Sequence, residues 1–355
     1  MQEPTDAISL ASMSIAEGRD SKKIDAVAQL LQREHDIRLI HVRPEVRLNR
    51  TQLLFGGEPQ ALLDAAMDSV AVIHNQLGPI LPEGDVRPFG ALEMLSFMPL
   101  RGNDLTVENR LARAFAERVS EAYQLPVYLA GEGALREERR NLKTLLEREG
   151  EGYTIAPPEG PPDFGPEQAH PRMGISLVCA RYLHLNCVMY FDSRDMDLIE
   201  DLTQVHKQVA VKGEQGRAQD YQDLARLLPN LSLYVDEVVT PRMVRLWCNI
   251  RNPNLTPLMR TIDVFRQAAD QVAAGYLGSR ILGFVPLDYL HCLSEDTGRA
   301  GSGEEEKIGE NDLQYILKGL SELNLGSLEP FRPRFQILDG YFDGELWERL
   351  PSSLS

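Results

Sequence analysis

The order in which the hydrophobic period switches between two and 3.6 residues constrains this chain more than any single motif, because the order β-α-β-β-α-β is read twice. Alternating apolar residues mark half-buried strands, and apolar residues three and four apart mark one helical face. In the first half Ile24, Val27, Ala28 and Leu31 share a helical face behind Ser21, a residue suited to cap the start. Residues 37–42 and 52–55 are short β-rich runs. Pro59 stands where a first-turn proline belongs, and Leu63, Ala66, Met67, Val70 and His74 line the helix behind it. Residues 91–98 alternate as a strand. A strand ahead of Glu17 completes the first set. Leu111, Ala114, Phe115, Val119 and Ala122 then mark an added helix, and 126–130 (PVYLA) an added strand. In the second half Leu183, Leu185, Cys187 and Met189 alternate with His184, Asn186, Val188 and Tyr190. A helix near 194–211 follows, then strands at 231–235 and 243–250. Leu258, Ile262, Phe265, Ala269 and Val272 form a helical stripe behind Thr256-Pro257, and 280–285 reads as the last strand.

That order is the split βαβ unit. Two of them imply an α+β chain of two βαββαβ-type subdomains with a ligand groove between their sheets, since grooves between domains are favoured places for small ligands. The stretch APPEGPPDFGPEQAHP at 156–171 can continue neither a helix nor a central strand and reads as the linker. The expected division is residues 1–165, residues 166–340 and a tail at 341–355. Within the second part, 294–308 reads as a polar loop and 311–323 as a final helix that packs back.

At 355 residues the chain is long enough for two such cores. Its 43% hydrophobic and 25% charged residues suit a soluble globular protein and not a disordered or fibrous one. A net charge of −16 argues against a general nucleic-acid binder, which needs a basic surface. No run of about 18 apolar residues occurs, so no membrane span is expected. The N-terminus lacks the basic region and apolar stretch of a signal peptide. Cys179, Cys187, Cys248 and Cys292 form no C-x-x-C pair, and free thiols in a reducing cytoplasm are the expectation.

No Gly-rich phosphate loop, G-x-S-x-G elbow, H-E-x-x-H helix or metal-spaced Cys/His set is present, and no metal site is expected. The most unusual local feature is a set of arginines at strand ends and turns: Arg43, Arg47, Arg50, Arg87, Arg101 and Arg172. In an acidic chain they are candidates for an anion pocket, because guanidinium grips carboxylates in bidentate fashion. Pairing with neighbouring acids is the plainer alternative. His170 reads as a loop residue, and the alternating Cys and Met of the second half as core.

Several short strings stand in a set order along the chain. They begin with EGRD at 17–20, Asn49-Arg50-Thr51, Gly90-Ala91-Leu92-Glu93 and Phe97-Met98-Pro99-Leu100-Arg101-Gly102. Pro126-Val127-Tyr128-Leu129 with Gly131-Glu132, Pro162-Asp163-Phe164-Gly165-Pro166, His170-Pro171 and Gly174 follow. Ala180-Arg181, Gln215-Gly216-Arg217, Gly278-Ser279, Gly283-Phe284-Val285-Pro286-Leu287 and Leu328-Glu329-Pro330-Phe331 complete the set. From about residue 12 to about residue 340 the chain resembles glutamate formimidoyltransferase, the folate-dependent transferase of histidine breakdown that is often fused to a cyclodeaminase.

The resemblance implies two α/β subdomains sandwiching a tetrahydrofolate or related folate, a homodimer, and transfer of a formimino group to the folate N5. It implies that a histidine acts as general base with a nearby aspartate in support, as an imidazole titrating near neutral pH can. It also implies a folate-contacting loop, here Gly165, Pro166, Glu167, Gln168, Ala169, His170, Pro171, Arg172, Met173 and Gly174. The family's histidine opens a string that matches Val86-Arg87-Pro88-Phe89-Gly90-Ala91-Leu92-Glu93, so Val86 stands at the base's position. Arg43 stands at the aspartate's position and Ser14 at that of an early asparagine. Valine cannot accept a proton, and arginine reverses the local charge. Two function classes follow: a folate-dependent one-carbon transferase with altered chemistry, or a catalytically silent relative that regulates, scaffolds or binds a protein partner. His41 and His170 are the remaining histidines near the expected groove.

Overall fold

The computed structural model describes residues 7–33, 36–77, 90–141, 146–149, 152–155, 158, 160–192, 228, 230–237, 243–271, 275–291, 320–321, 324–325, 330–343 and 346. They form an α+β protein of two compact units, Met1–Tyr182 and Leu183–Ser355. The first opens with the strand expected ahead of Glu17, β1 (Ile8–Ile15), then α1 (Ser21–Arg33), β2 (Ile37–Glu45), β3 (Arg50–Gly57), α2 (Pro59–Gln76) and β4 (Leu92–Arg101). The four strands lie in the order β2-β3-β1-β4 with every neighbour antiparallel. The added pair is α3 (Leu105–Tyr123) and β5 (Val127–Gly131).

Local chemistry sets the helix starts. Pro59 is the first residue of α2, and Glu58 ahead of it accepts from the amides of Gln60 and Ala61. Asp104 caps α3 through the amide of Thr106. For α1 the expected cap at Ser21 moves back one residue: Asp20 accepts from the Lys22 amide, and Ser21 is already helical. The longer carboxylate arm reaches the second amide of the turn. The three helices cover one face of the sheet. Val27, Leu31, Leu62, Val70, Leu111 and Phe115 pack on Met13, Ile15, Leu53, Phe55, Leu95 and Phe97.

The Pro/Gly-rich stretch is not a linker between the units. After β5 the chain makes a short 3₁₀ turn (Glu137–Arg139) and a hairpin, β6 (Leu146–Glu149) and β7 (Gly152–Ile155), that the sequence reading lacked. It then returns as β8 (Ser176–Ala180), which enters between β4 and β5 and runs parallel to both. Asp163 fixes the return, accepting from the Leu129 amide at 2.7 Å and from fully buried Arg139 at 2.8 Å. The boundary therefore falls at Tyr182/Leu183 and not at 165/166, because β8 is an interior strand of the first sheet.

The second unit holds β9 (Leu185–Asp192), β10 (Leu231–Glu237), β11 (Met243–Ile250), α4 (Leu258–Gln271) and β12 (Gly275–Leu282). Its sheet order, β10-β11-β9-β12, repeats the second-third-first-fourth order of the first unit, again all antiparallel. The helix stripe Leu258, Ile262, Phe265 and Ala269 packs on this sheet. The last strand begins five residues earlier than the expected 280. The added residues include Gly275 and Gly278, which weaken the strand pattern, yet Gly278 pairs with Tyr190 across a register shift. Short helices α5 (Asp288–His291) and α6 (Pro333–Gln336) follow. The tail expected at 341–355 reaches back into this unit, since Leu346 is fully buried in its core. The helix near 194–211, the loop at 294–308, Cys292 and most of 311–323 lie outside the described residues.

Candidate functional site

Where β1 and β2 end and β3, β4 and β8 begin, the strings quoted above become neighbours. Glu17 ends β1. Its Oε1 accepts from the amides of Arg19 and Asp20, both at 3.0 Å, and its Oε2 meets Lys23 at 3.3 Å. Burial alone would raise its pKa, but these hydrogen bonds outweigh burial and lower it. Asn49, held at φ 50°, accepts from the Gly18 amide, and the Thr51 hydroxyl donates to the Glu17 carbonyl. EGRD at 17–20 and Asn49-Arg50-Thr51 thus form one interlocked turn.

Beside it Ser14 pairs with Met94 while Ile15 pairs with Leu92, so Glu93 is the extra residue of a β-bulge. A bulge re-aims a side chain, and Glu93 is fully buried. Its two oxygens accept Nε and Nη2 of Arg50, the latter at 2.9 Å, and Ser14 Oγ adds a third bond at 3.1 Å. Gln52 donates to Ser12 Oγ at 3.1 Å. Sequence reasoning named Ser14, Arg50 and Glu93 separately. Their shared bulge was not visible because it depends on the register between strands about 80 residues apart.

Gly90-Ala91 ties this cluster to the 165–174 loop. Gly90 bridges Gly174, and a Cβ at Gly90 would lie 2.0 Å from the Ile175 carbonyl oxygen, so only glycine fits. The Ala91 amide donates to the Met173 carbonyl at 2.9 Å, and the Ala91 carbonyl accepts from Ala16. Gly165, at φ +87°, packs close to the Leu125 carbonyl. Pro166, Glu167, Gln168 and Ala169 are exposed, and His170 and Gly174 exchange both backbone hydrogen bonds at 2.8 Å. Met173 is buried beneath. The loop rests on the C-terminal ends of α2 and α3. Arg172 donates to the His74 carbonyl at 3.0 Å, and the His74 ring lies 5.9 Å from His170 and 5.4 Å from Tyr123, centre to centre.

His170 Nδ1 accepts the amides of Arg172 and Met173, at 3.1 and 2.9 Å. The neutral ring therefore carries its proton on Nε2, and a proton at Nδ1 would displace both amides. Burial, His74 and Arg172 lower its pKa in the same sense. His170 is thus a loop-shaping acceptor that offers an Nε2–H donor, and not a base. His41 on β2 is exposed, and desolvation and the Arg43 charge lower its pKa, which keeps it neutral near pH 7.

The arginines do not share one pocket. Arg50 is half-buried and pairs with buried Glu93, and Arg43, 63% exposed, pairs with Glu45 at 3.1 Å. Arg172 belongs to the loop. Arg47 is exposed, and Arg101 pairs with Ile8 at the opposite end of the sheet. Val86 and Arg87 lie outside the described residues. Among the described residues no group of three or more His, Cys, Asp or Glu is placed to hold a metal ion, and no helix is long and apolar enough to cross a membrane.

Residues 8–181 match the family model described as the formiminotransferase domain, N-terminal subdomain, and residues 194–342 match the formiminotransferase domain. The chain belongs to the formiminotransferase-domain family. The first match ends beside the Tyr182/Leu183 boundary, so this formiminotransferase-domain protein keeps β8 in its N-terminal subdomain. It is 26% identical over 328 residues to formimidoyltransferase-cyclodeaminase of Sus scrofa, covering 92% of this chain and 58% of that protein. It is 24% identical over 281 residues to glutamate formimidoyltransferase of Thermoplasma acidophilum, covering 78% of this chain and 88% of the relative. The chain thus spans little more than half the length of the cyclodeaminase-bearing relatives it matches.

Proposed function

We propose that this formiminotransferase-domain protein binds a reduced folate against residues 165–174 and that the formimino transfer implied by its resemblance to glutamate formimidoyltransferase is lost or strongly weakened. The observation that carries the reading is the built state of the loop, whose Met173 carbonyl accepts from the Ala91 amide two residues ahead of Glu93 in the Glu93–Arg50–Ser14 cluster. The residues present suit such a ligand. The His170 Nε2–H can donate to a pterin carbonyl, and Arg172 on the rim can meet a glutamate carboxylate. Glu93 is engaged by Arg50 and Ser14 and serves as an anchor. At the positions where the family has its base and aspartate, Val86 holds no proton acceptor and Arg43 would disfavour any cation forming on the attacking nitrogen. That pair of residues favours a second reading, a folate-binding relative that acts as a regulatory, scaffold or partner-binding protein. The same family reading carries a cytoplasmic homodimer, which light scattering tests as twice the 39.9 kDa chain mass.

Thermal melting with tetrahydrofolate tests the binding. A ligand at about 100 times its Kd adds roughly 2.7 kcal/mol. An unchanged melt at millimolar folate overturns folate binding in favour of a protein partner. A transfer assay tests the chemistry: loss of a positioned acid–base group costs about 10²–10⁴ in rate. Negligible transfer is expected, with a gain in Val86→His/Arg43→Asp. Robust transfer by the unaltered protein overturns the loss and makes His41 the residue to replace, since His170 Nδ1 is occupied.

A further inference from the structure

The second unit places two cysteines side by side. Cys187 on β9 and Cys248 on β11 are direct partners in the antiparallel register, and both belong to the core that α4 covers. They are 1% and 2% exposed, and neither forms a disulfide. The flanking positions on the same face carry Leu185 and Met189 on β9 and Leu246 and Ile250 on β11, which offer packing and no thiol. The Cys187 thiol is near enough to act on its partner. Burial first, and then Cys187, raise the Cys248 pKa well above the ordinary thiol range.

The backbone fixes what kind of pair they form. The Arg251 amide donates to the Asn230 carbonyl, which extends the pairing of Leu231 with Ile250 by one residue. Backbone groups alternate in direction along a strand, so Arg251, Asn249 and Trp247 turn theirs to β10, while Ile250, Cys248 and Leu246 turn theirs to β9. Cys248 and Cys187 are therefore a hydrogen-bonded pair, in which Cα atoms stand about 5.5 Å apart. A disulfide spans that distance. Its Cβ atoms, however, sit about 3.8 Å apart, whereas those of a hydrogen-bonded pair lie near the upper end of about 4.5–5.5 Å. Closing the bond draws the two side chains together by about 1–2 Å. The product is strained, and strained disulfides are the readily reduced ones.

We propose that Cys187 and Cys248 are a reversible oxidation site, closed by hydrogen peroxide into a disulfide across β9 and β11 and reopened by a small thiol such as glutathione. One thiol loses its proton and its sulfur attacks a peroxide oxygen. The O–O bond breaks, a sulfenic acid forms, and the far oxygen leaves as water with that proton. The second sulfur then displaces hydroxide from the sulfenic sulfur, and the hydroxide leaves as water with the second thiol's proton. Two thiols and one peroxide thus give one disulfide and two waters. Two glutathione thiols reverse the bond and leave as oxidised glutathione. Burial keeps the thiols protonated and makes the first step slow, while the adjacent partner makes the second fast. The site is independent of the folate reading, because both cysteines belong to the second unit.

The test treats the full chain with excess hydrogen peroxide, removes the peroxide with catalase, unfolds the chain in guanidinium chloride with N-ethylmaleimide and reads the masses of the intact chain and its tryptic peptides. Trypsin cuts after Arg181, Arg194, Arg245 and Arg251, which puts the two cysteines on separate peptides, 182–194 and 246–251. After peroxide two of the four cysteines should escape alkylation, with these two peptides linked, and excess glutathione before unfolding should return all four. Cys179 is the internal control for burial alone. It is fully buried, but its partners across the sheet are Ser96 and Ala130, and it should stay alkylatable. Cys187→Val and Cys248→Ala should each abolish the linked peptide, and the parent's peptides decide the matter even where a variant folds poorly. Four alkylatable cysteines after peroxide, a bond that uses Cys179 or Cys292, or oxidation of single cysteines with no linked peptide overturns the site. A linked peptide that excess glutathione leaves intact overturns its reversibility.

Discussion

Replacing Glu108 by glutamine should stabilise the first unit at alkaline pH and leave it nearly unaffected by this route in acid. Glu108 lies in the first turn of α3, fully buried, where its Oε1 accepts from Ser9 Oγ at 2.8 Å and from Asn103 Nδ2 at 2.7 Å. Its Oε2 and Asn103 Oδ1 are buried with no partner among the described residues, so a proton on this carboxyl is the only donor the pair can call on. Burial pushes the pKa up to about 8 from an ordinary 4.5; the Ser9 bond opposes this and the Asp104 charge adds to it. The folded state thus holds its proton where the unfolded chain has released it. Stability is full below pH 4.5, falls as pH rises towards 8, and is flat above. At about 1.4 kcal/mol per pH unit, the loss is about 3 kcal/mol at pH 7 and about 5 kcal/mol above pH 8. Glutamine keeps the Oε1 acceptor and never ionises. Any fixed cost of its amide cancels when pH values are compared. Urea unfolding followed by circular dichroism at pH 5 and pH 8.5 should therefore show the stability difference between variant and parent moving in the variant's favour by about 4 kcal/mol. A change below about 1 kcal/mol would mean that the native carboxyl is ionised, and the reasoning fails.

Three further outcomes are expected. Asp163→Ala leaves the fully buried Arg139 guanidinium without its carboxylate and the Leu129 amide without its acceptor, and should cost about 3–5 kcal/mol in denaturant titration. Glu17→Gln weakens acceptors for two amides and removes the Lys23 pair, at a cost of about 1–2 kcal/mol near neutral pH. Because the native Glu17 pKa is lowered, the parent holds this stability above pH 4.5 and loses it as pH falls through the native value, and the variant's acid unfolding profile should be flatter there. His170→Ala should raise hydrogen exchange at the Arg172 and Met173 amides, and His170→Asn, whose Oδ1 replaces Nδ1 as acceptor, should largely restore protection. With the His170 pKa lowered from 6.5, protection in the parent is full above that pH and lost as pH falls through the native value.

Periodicity within the sequence marked the strands and helices of the first set, β9 to β12 and α4, but not β6, β7 or β8. Helical spacing placed Val27 and Leu31, Val70, and Phe115 on the faces they bury, and alternation placed β4, β9 and β11, because each pattern is satisfied within one element by one face meeting a core. Pro59 set its helix start for a reason local to its own backbone. The quoted strings carried the family because their order survives in one dimension. Pairing between distant segments was fixed only by the folded chain. β8 joins β4 and β5 by parallel hydrogen bonds between residues far apart in the chain, so the Pro/Gly-rich return looked like a linker. Two glycines hid the start of β12, whose strand character comes from its partner β9. Glu93 meets Arg50 and Ser14 only because a bulge in β4 shifts one residue against β1, and register is a property of two strands together. Glu108 looks like one more acid on a charged helix. Its charge state is fixed by the water that Ser9, Asn103 and the neighbouring strand exclude, and solvent exclusion exists only once the chain has folded.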